Sequence, residues 1–419
     1  MPDTKAPLLL ICYSFPPHPG IGGRRWAKFT KYLAMNDQST IVFNASNIFN
    51  ENSLWTRDTI NDKIQLNSYP FSLQKIVKFP QTVFEKTGRK AINFFLLLTK
   101  YNTDLITSLP NHEFWNSIEE KIKTNKIEKV IVSGDPYLFY YASLLRKNVS
   151  FELILDYRDL WNDHSFYNKN VSFSKKQRNF FNYCENEALQ ICDKIIFVDQ
   201  HLEDTITKRI RNRNPKTSVI PNGLDLDDIK DIKKTDVKPS EKKMIFFWGS
   251  ISSDLNDSVY HFISSFSELR IKEPGIYNSF HITIGGTIDH ELVKKIKSLN
   301  LENVTIETKL LSRNEYYERL MNADIGITLN SYEYRNSFVT KFSDYLFLNK
   351  FILNISFEGR FAQFIKEHHL GDTFYKKDDH RFFLDLKNNL ASYKKPTEEM
   401  LSSFELKNLT QQLESFIFS

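Results

Sequence analysis

At 419 residues the chain is long for one domain and suits two, and its 41% hydrophobic and 26% charged residues allow an ordinary packed core. The net charge of +5 permits an anionic substrate or an anionic membrane surface and makes no case for nucleic acid. No run of 18 apolar residues exists, which excludes a spanning helix, and Cys12, Cys184 and Cys192 lack metal spacing and leave an odd count that argues against a disulfide framework. Buried thiols in a reducing compartment are expected. The N-terminus Met-Pro-Asp-Thr-Lys is polar and the apolar run after it is short, so no signal peptide is read and a cytoplasmic protein is expected.

Leu8 to Cys12 reads as the first buried strand. Prolines stop it, and Gly20, Gly22 and Gly23 supply a tight or closely approached loop. Trp26, Phe29, Thr30 and Leu33 then form a helical stripe, and Ile41 to Phe43 reads as a second strand. This is the opening of a nucleotide fold without the dinucleotide glycine spacing. Arg24 and Arg25 begin the helix, where cations are disfavoured unless something anionic is present. Both are phosphate candidates, with a solvated helix start as the alternative.

Residues 72 to 101 mix Ile76, Val77, Phe79, Phe84, Phe94 and Phe95 with Lys75, Lys78, Lys86, Arg89, Lys90 and Lys100. Such a basic amphipathic stretch suits an anionic membrane interface or a pair of core helices with a basic outer face, and both readings stand. Lys129 to Ser133 reads as a strand ending in Gly134-Asp135-Pro136 and followed by an aromatic helix. Glu152 to Asp156 is a strand running into Tyr157-Arg158-Asp159-Leu160-Trp161. Asp135, Asp156 and Asp159 therefore sit at carboxyl ends of strands, the ligand side of a doubly wound sheet. Arg158 is read as pairing with a carboxylate or meeting a ligand. A metal set of Asp156, Asp159 and Asp163 lacks the remaining oxygens a hard cation needs.

A helix from about Ser174 to Ile191, a strand Lys194 to Val198 and a strand Ser218 to Ile220 follow. Pro221-Asn222-Gly223 closes the half, and residues 225 to 243, rich in Asp and Lys, read as a linker. The second half restarts with a strand Met244 to Trp248 and the loop Gly249-Ser250-Ile251-Ser252-Ser253. Strands His281 to Ile284 and Val304 to Glu307 come next, and Ser312-Arg-Asn-Glu315 is a capping box. Ile325 to Leu329 and Phe351 to Ile355 flank a helix on which Phe338, Phe342, Tyr345 and Leu346 recur, with Ser337 as its expected N-cap. Free N–H groups at that helix start, with Ser337, Phe338, Val339 and Thr340, suit a phosphate, and Lys341 in the first turn adds a cation. Asp344 lies three residues on, on the same face. The stretch from Glu398 to Ile417 reads as helix.

The segment Thr-Lys-Phe-Ser-Asp-Tyr-Leu-Phe-Leu-Asn-Lys-Phe-Ile-Leu resembles the donor-binding helix of GT-B glycosyltransferases of the family 4 type, where Lys-x-x-Glu-Tyr-Leu precedes a Gly-Lys-Pro turn. Here Asp344, Asn349 and Phe351 stand where that family has Glu, Gly and Pro. Phe15-Pro-Pro with Gly22-Gly23 resembles its N-terminal glycine loop, Asp156-Tyr-Arg-Asp-Leu-Trp its Asp-x-Arg-Asp-x-Trp segment, and Pro221-Asn-Gly-x-Asp225 its domain junction. The resemblance implies an α/β GT-B architecture of two doubly wound Rossmann-like domains facing across a cleft. It places an acceptor-side domain at 1–224, a linker at 225–243, a nucleotide-sugar domain at 244–397 and a returning helix at 398–419. It implies transfer of a sugar from a nucleotide-sugar co-substrate to a glycan or lipid-linked acceptor in bacterial surface polysaccharide assembly, with retention and without a metal. Donor contacts fall to Gly22, Gly23, Arg24, Arg25, Gly249, Ser250, Ser337, Phe338, Val339, Thr340, Lys341 and Asp344. Asp135, Asp156, Arg158 and Asn222 fall on the acceptor side, and Asp159 and Asn336 are the catalytic candidates. Asn336 stands eight positions before Asp344, where the family has an acid. The loop 249–254 lacks the family's Arg and Lys. Rival readings are a nucleotide-sugar epimerase on the same fold and a non-catalytic subunit.

Overall fold

The computed structural model describes residues 6–18, 21–46, 53–69, 82–98, 112–162, 175–211, 213–232 and 241–419. The chain divides into two compact units, Met1–Pro221 with Leu409–Ser419, and Asn222–Asn408.

The first unit is built on seven strands: β1 (Leu8–Cys12), β2 (Thr40–Ala45), β3 (Ile64–Tyr69), β4 (Lys129–Ser133), β5 (Glu152–Tyr157), β6 (Lys194–Phe197) and β7 (Lys216–Val219). Their order is β3-β2-β1-β4-β5-β6-β7, and every neighbouring pair is parallel. Its helices are α1 (Arg24–Met35), α2 (Val83–Leu98), α3 (His112–Thr124), α4 (Pro136–Leu145), α5 (Lys175–Ile191) and α6 (Gln200–Ile206). The central strands are continuous apolar runs because helices cover both faces of a parallel sheet. Leu9, Ile11, Val130, Val132, Leu153, Leu155, Ile195 and Phe197 form the core between them. Sequence reading missed β3, an edge strand that carries Gln65, Asn67 and Ser68 and is half open to solvent.

Helix α2 stands apart in character. Val83, Phe84, Phe94, Phe95 and Leu98 on it are exposed, Phe84 by 89%. Lys86, Arg89 and Lys90 are exposed beside them. A core helix would bury those rings, so the core reading does not hold for this helix. Lys75, Lys78 and Lys100 lie outside the described residues.

The second unit has six strands: β8 (Lys243–Ser250), β9 (Phe280–Thr287), β10 (Val304–Glu307), β11 (Ile325–Leu329), β12 (Phe351–Ile355) and β13 (Gly371–Phe374). Their order, β10-β9-β8-β11-β12-β13, is again parallel throughout. The helices are α7 (Asn256–Lys272), α8 (Pro274–Tyr277), α9 (His290–Ser298), α10 (Arg313–Asn322), α11 (Thr340–Phe347), α12 (Arg360–Glu367), α13 (Arg381–Asn389) and α14 (Glu398–Phe404). The capping box is present: the Ser312 hydroxyl accepts from the Glu315 N–H and the Glu315 carboxylate from the Ser312 N–H. Residues 225–232, expected as linker, pack onto this unit. Leu224 donates to the Phe404 carbonyl and accepts from the Leu406 N–H, and buried Asp228 pairs with Arg313 at 2.7 Å.

The expected terminal helix is two helices, α14 and α15 (Leu406–Phe418), broken at Glu405. Leu409, Leu413 and Ile417 recur at helical spacing and are buried in the first unit. The Ile417 carbonyl accepts from the Lys194 ammonium at 2.9 Å, and that lysine, itself buried, also pairs with Glu152 at 2.8 Å.

Candidate functional site

In each unit the strand order reverses direction at one point, between β1 and β4 and between β8 and β11. Crevices outside the carboxyl ends of strands at such points are where doubly wound sheets bind ligands. The sequence candidates fall at these two edges.

In the second unit, β8 and β9 stay paired to their last residues, Gly249 with Gly286 and Ser250 with Thr287. Gly286 has φ +113°, and a Cβ there would overlap the Gly249 carbonyl. The edge is therefore backbone alone. Lys341, in the first turn of α11, lies directly over it: a Cβ at Gly249 would come 2.9 Å from Lys341 Cε and 3.2 Å from Nζ. The ammonium also sits 4.9 Å from the Tyr316 ring centre and 5.6 Å from that of Phe247. A cation, a glycine edge and a helix N-terminus thus converge, which is the chemistry an anionic phosphate requires.

Asp344 does share this face, but it is buried rather than presented. Its oxygens accept from Tyr316 Oη at 3.1 Å and Tyr317 Oη at 3.2 Å. Burial, and then the charge of Asp344, push the Tyr316 and Tyr345 phenols well above their ordinary range, so both stay protonated donors. Tyr316 touches both members of the pair, the Lys341 ammonium by its ring and Asp344 by its hydroxyl. Sequence reading gave neither tyrosine a part in the site, although the Tyr-Tyr pair opens the helix after the capping box.

Three expectations are corrected here. Ser337 does not cap α11: Val339 holds the N-cap position with no side-chain bond, because Ser337 closes a turn by donating its N–H to the Tyr334 carbonyl at 2.9 Å. Asn336 does not stand free as a catalytic group, since its Oδ1 accepts from the Arg360 N–H at 3.0 Å and serves the start of α12. Phe338 stacks edge-on with Phe342, Phe361 and Phe364 at 5.0–5.2 Å and, like half-buried Val339, packs against the core, so 338 and 339 turn their side chains to the fold. Thr340 begins the helix and its carbonyl accepts from the Ser343 hydroxyl. Ser250 is exposed at the tip of β8.

In the first unit, Asp156 is fully buried and is a hub rather than an acceptor contact. It accepts from Trp26 Nε1 at 2.7 Å, Ser133 Oγ at 2.7 Å and Arg25 Nε at 3.2 Å. Arg25 is held with it: Nη1 donates to the Pro221 carbonyl at 3.0 Å and Nη2 to that of Ile220 at 2.8 Å. The expectation of a phosphate ligand is thereby replaced for Arg25, whose cation stabilises the close of its own domain. Burial lowers its affinity for the proton, and Asp156 offsets this. Arg158 pairs with no carboxylate in the described contacts; its Nη1 donates to the Gly22 carbonyl at 2.7 Å. Gly22 and Gly23 lie against Ser14 and Pro16, which leave no room for a Cβ at 23. Their glycine requirement is met by that packing. Arg24 is buried with its guanidinium 5.2 Å from the Trp55 ring centre. Asp135 caps α4, accepting from Tyr137 and Leu138 N–H. Asp159 is half-buried just past β5, and Asn222, also half-buried, begins the second unit. Asp163 lies outside the described residues. Burial pushes the Cys12 thiol up to about 12, so it is no nucleophile.

Two parallel sheets, each reversing at its central strand and each flanked by helices, define the GT-B glycosyltransferase fold. Sucrose-phosphate synthase from Thermosynechococcus elongatus shares it over 98% of both chains, at 12% identity and a TM-score of 0.67. A trehalose-6-phosphate structure from E. coli bound with UDP-2-fluoro glucose covers 98% of both chains at 11% identity and 0.62. WaaG, a glycosyltransferase involved in lipopolysaccharide biosynthesis, aligns over 98% of this chain and 99% of its own at 11% identity and 0.56. At such identities it is the fold that is common. No known family profile and no curated protein sequence matches the chain.

Proposed function

We propose that the protein is a glycosyltransferase that moves a sugar from a nucleotide-sugar donor to a glycan or lipid-linked acceptor, with retention and without a metal, in the assembly of a bacterial surface polysaccharide. The observation that carries this is Lys341 laid over the Gly249–Gly286 edge at the start of α11. Cleaving the glycosidic bond of such a donor puts charge on the leaving diphosphate. Donors already in place at that position lower the barrier. Lys341, the α11 N–H groups and Ser250 supply them, in place of the Arg and Lys missing from loop 249–254. Asp344 acts through the Tyr316 and Tyr317 hydroxyls it orients, and Asp159, with Asp135, serves the acceptor. Two of the structural neighbours are, by name, a sugar-phosphate synthase and a lipopolysaccharide glycosyltransferase, and another binds a UDP-sugar analogue, which supports both the donor and the reaction class. Helix α2, with exposed phenylalanines beside Lys86, Arg89 and Lys90, suits an anionic bilayer surface and hence a lipid-linked acceptor. That would make it a cytoplasmic protein, peripheral on the membrane.

Thermal shift with a panel of nucleotide sugars, followed by assay of the released nucleoside diphosphate with lipid and glycan acceptors, tests the reading. Shift and turnover support it. The engagement of Asn336 by Arg360 favours a second reading, a donor-binding subunit without catalysis. Binding with no release under any acceptor selects that one.

A further inference from the structure

We propose that four uncharged, unpartnered polar groups at the carboxyl ends of β11 and β12 and in the loop before α11 hold hydroxyls of the donor's sugar, so that the transferred group is a neutral sugar. This rests on the donor-binding reading above. Asn330 follows β11 and Ser356 follows β12. The Asn330 N–H donates to the Ile355 carbonyl at 3.2 Å and the Ser356 N–H to that of Phe374 at 3.2 Å, so the sheet fixes both backbones. The Asn330 amide nitrogen is committed, donating to the carbonyls of Tyr334 at 2.8 Å and Ser337 at 3.0 Å. These bonds set the amide's orientation and leave Oδ1 as an acceptor. That Oδ1, and the hydroxyls of Ser331, Ser337 and Ser356, have no hydrogen-bond partner among the described residues. The four residues are only 1%, 8%, 6% and 5% exposed.

Each unmet buried polar atom costs about 1–3 kcal/mol. Four in one loop cluster is far from the ordinary, nearly complete satisfaction of buried groups. A ligand that relieves them must bring a hydrogen-bond donor for Asn330 Oδ1 and groups that either donate or accept for the three hydroxyls. Neighbouring sugar hydroxyls do both. None of the four residues carries a charge, so a carboxylate or sulfate seated on them would gain no counter-ion from them. Arg335 is engaged at the rim, where its guanidinium stacks 3.8 Å from the Tyr332 ring centre and donates to the Tyr332 carbonyl. Tyr332 is 56% exposed and meets Phe357 edge-on at 5.5 Å, giving the polar floor an aromatic margin of the kind that packs on a sugar's C–H face. Ser337 lies four residues before Lys341, so a diphosphate at the α11 start leads directly into this loop.

The test is calorimetry on the full chain and on a Ser331→Ala/Ser356→Ala variant. Probes are UDP, GDP and ADP, their neutral-hexose conjugates, and UDP-glucuronate. Removing these hydroxyls deletes no internal hydrogen bond, so the thermal midpoint should hold or rise. The free nucleotides should bind as before. The affinity gained from the attached neutral hexose should fall roughly 3- to 10-fold per hydroxyl removed. An unchanged hexose increment overturns the proposal, and so does a wild-type preference for glucuronate. A lowered midpoint with an unchanged increment assigns the hydroxyls to trapped water instead. If no nucleoside diphosphate binds the wild type, the donor-binding reading fails and takes this one with it. Nucleotide binding with no hexose increment overturns this proposal alone.

Discussion

Replacing Arg25 by glutamine separates a structural cation from a ligand-binding one. The guanidinium makes two 3.2 Å contacts with Asp156 and donates to the carbonyls of Ile220 and Pro221, and the side chains of both ion-pair partners are almost wholly buried. A glutamine reaches at most part of this set and carries no charge. Asp156 then keeps Trp26 and Ser133 as donors but loses its counter-ion. Breaking a buried pair from one side costs about 3–5 kcal/mol, chiefly because a charge is left uncompensated in the interior. Urea unfolding followed by tryptophan fluorescence, to which Trp26 contributes, should show that loss. Nucleoside diphosphate affinity of the folded Arg25→Gln protein should match wild type. Arg25→Lys should fall between, since the charge returns without the fork. A variant within about 1 kcal/mol of wild-type stability whose nucleotide binding has collapsed would refute the assignment and restore Arg25 as a phosphate ligand.

Lys341→Ala should weaken nucleoside diphosphate binding of the folded protein by roughly 1.5–3 kcal/mol, the range of a charge-assisted hydrogen bond; equal calorimetric affinities would displace the phosphate site from α11. Gly286→Ala should cost about 1–3 kcal/mol in urea unfolding, because φ +113° admits an L side chain only with strain and the Gly249 carbonyl occupies its place; a neutral effect would show that the β8–β9 edge relaxes freely. Tyr157, Tyr316 and Tyr345 have phenols raised well above the ordinary value by burial, with Glu185 acting on Tyr157 and Asp344 on the other two. Unfolded tyrosines release their protons near pH 10 while these keep theirs, so stability is full below about pH 10 and falls above it by up to roughly 1.4 kcal/mol per pH unit for each group. Tyrosinate absorbance of these groups should appear with unfolding, and its appearance in the folded protein would contradict their burial. Lys86→Gln, Arg89→Gln and Lys90→Gln together should reduce sedimentation with anionic vesicles, more so in low salt, and equal binding to neutral vesicles would remove the electrostatic part. Transfer activity should persist in a chelator, and its loss with recovery on adding a divalent ion would replace the metal-free mechanism.

Much of the sheet architecture could be read from the chain because central strands of parallel sheets are unbroken apolar runs. Ile325–Leu329 and Phe351–Ile355 begin and end as their composition indicates. Strands β3 and β13 escaped because Gln65, Asn67 and Ser68, and Gly371, Asp372 and Thr373, dilute the apolar signal at the sheet edges. The place of Lys341 in the first turn of α11 could be read because it depends on local helical spacing. The fate of Arg25 could not, since its carboxylate partner lies 131 residues away. Asn336 looked catalytic by its spacing from Asp344, but a helix 24 residues downstream claims its oxygen. Pairings of this kind are tertiary events that periodicity does not encode.

The first unit is closed by residues 409–419, with buried Lys194 holding the Ile417 carbonyl, whereas the second is one uninterrupted span, Asn222–Asn408. Synthesis therefore cannot complete the first unit until residues 409–419, made after the whole of the second, have left the ribosome. Until then Lys194 faces a groove whose carbonyl has not yet emerged, and the apolar seat for Leu409, Leu413 and Ile417 is open. In the cell that interval is when this half is most exposed to chaperones and to misassociation with other nascent chains.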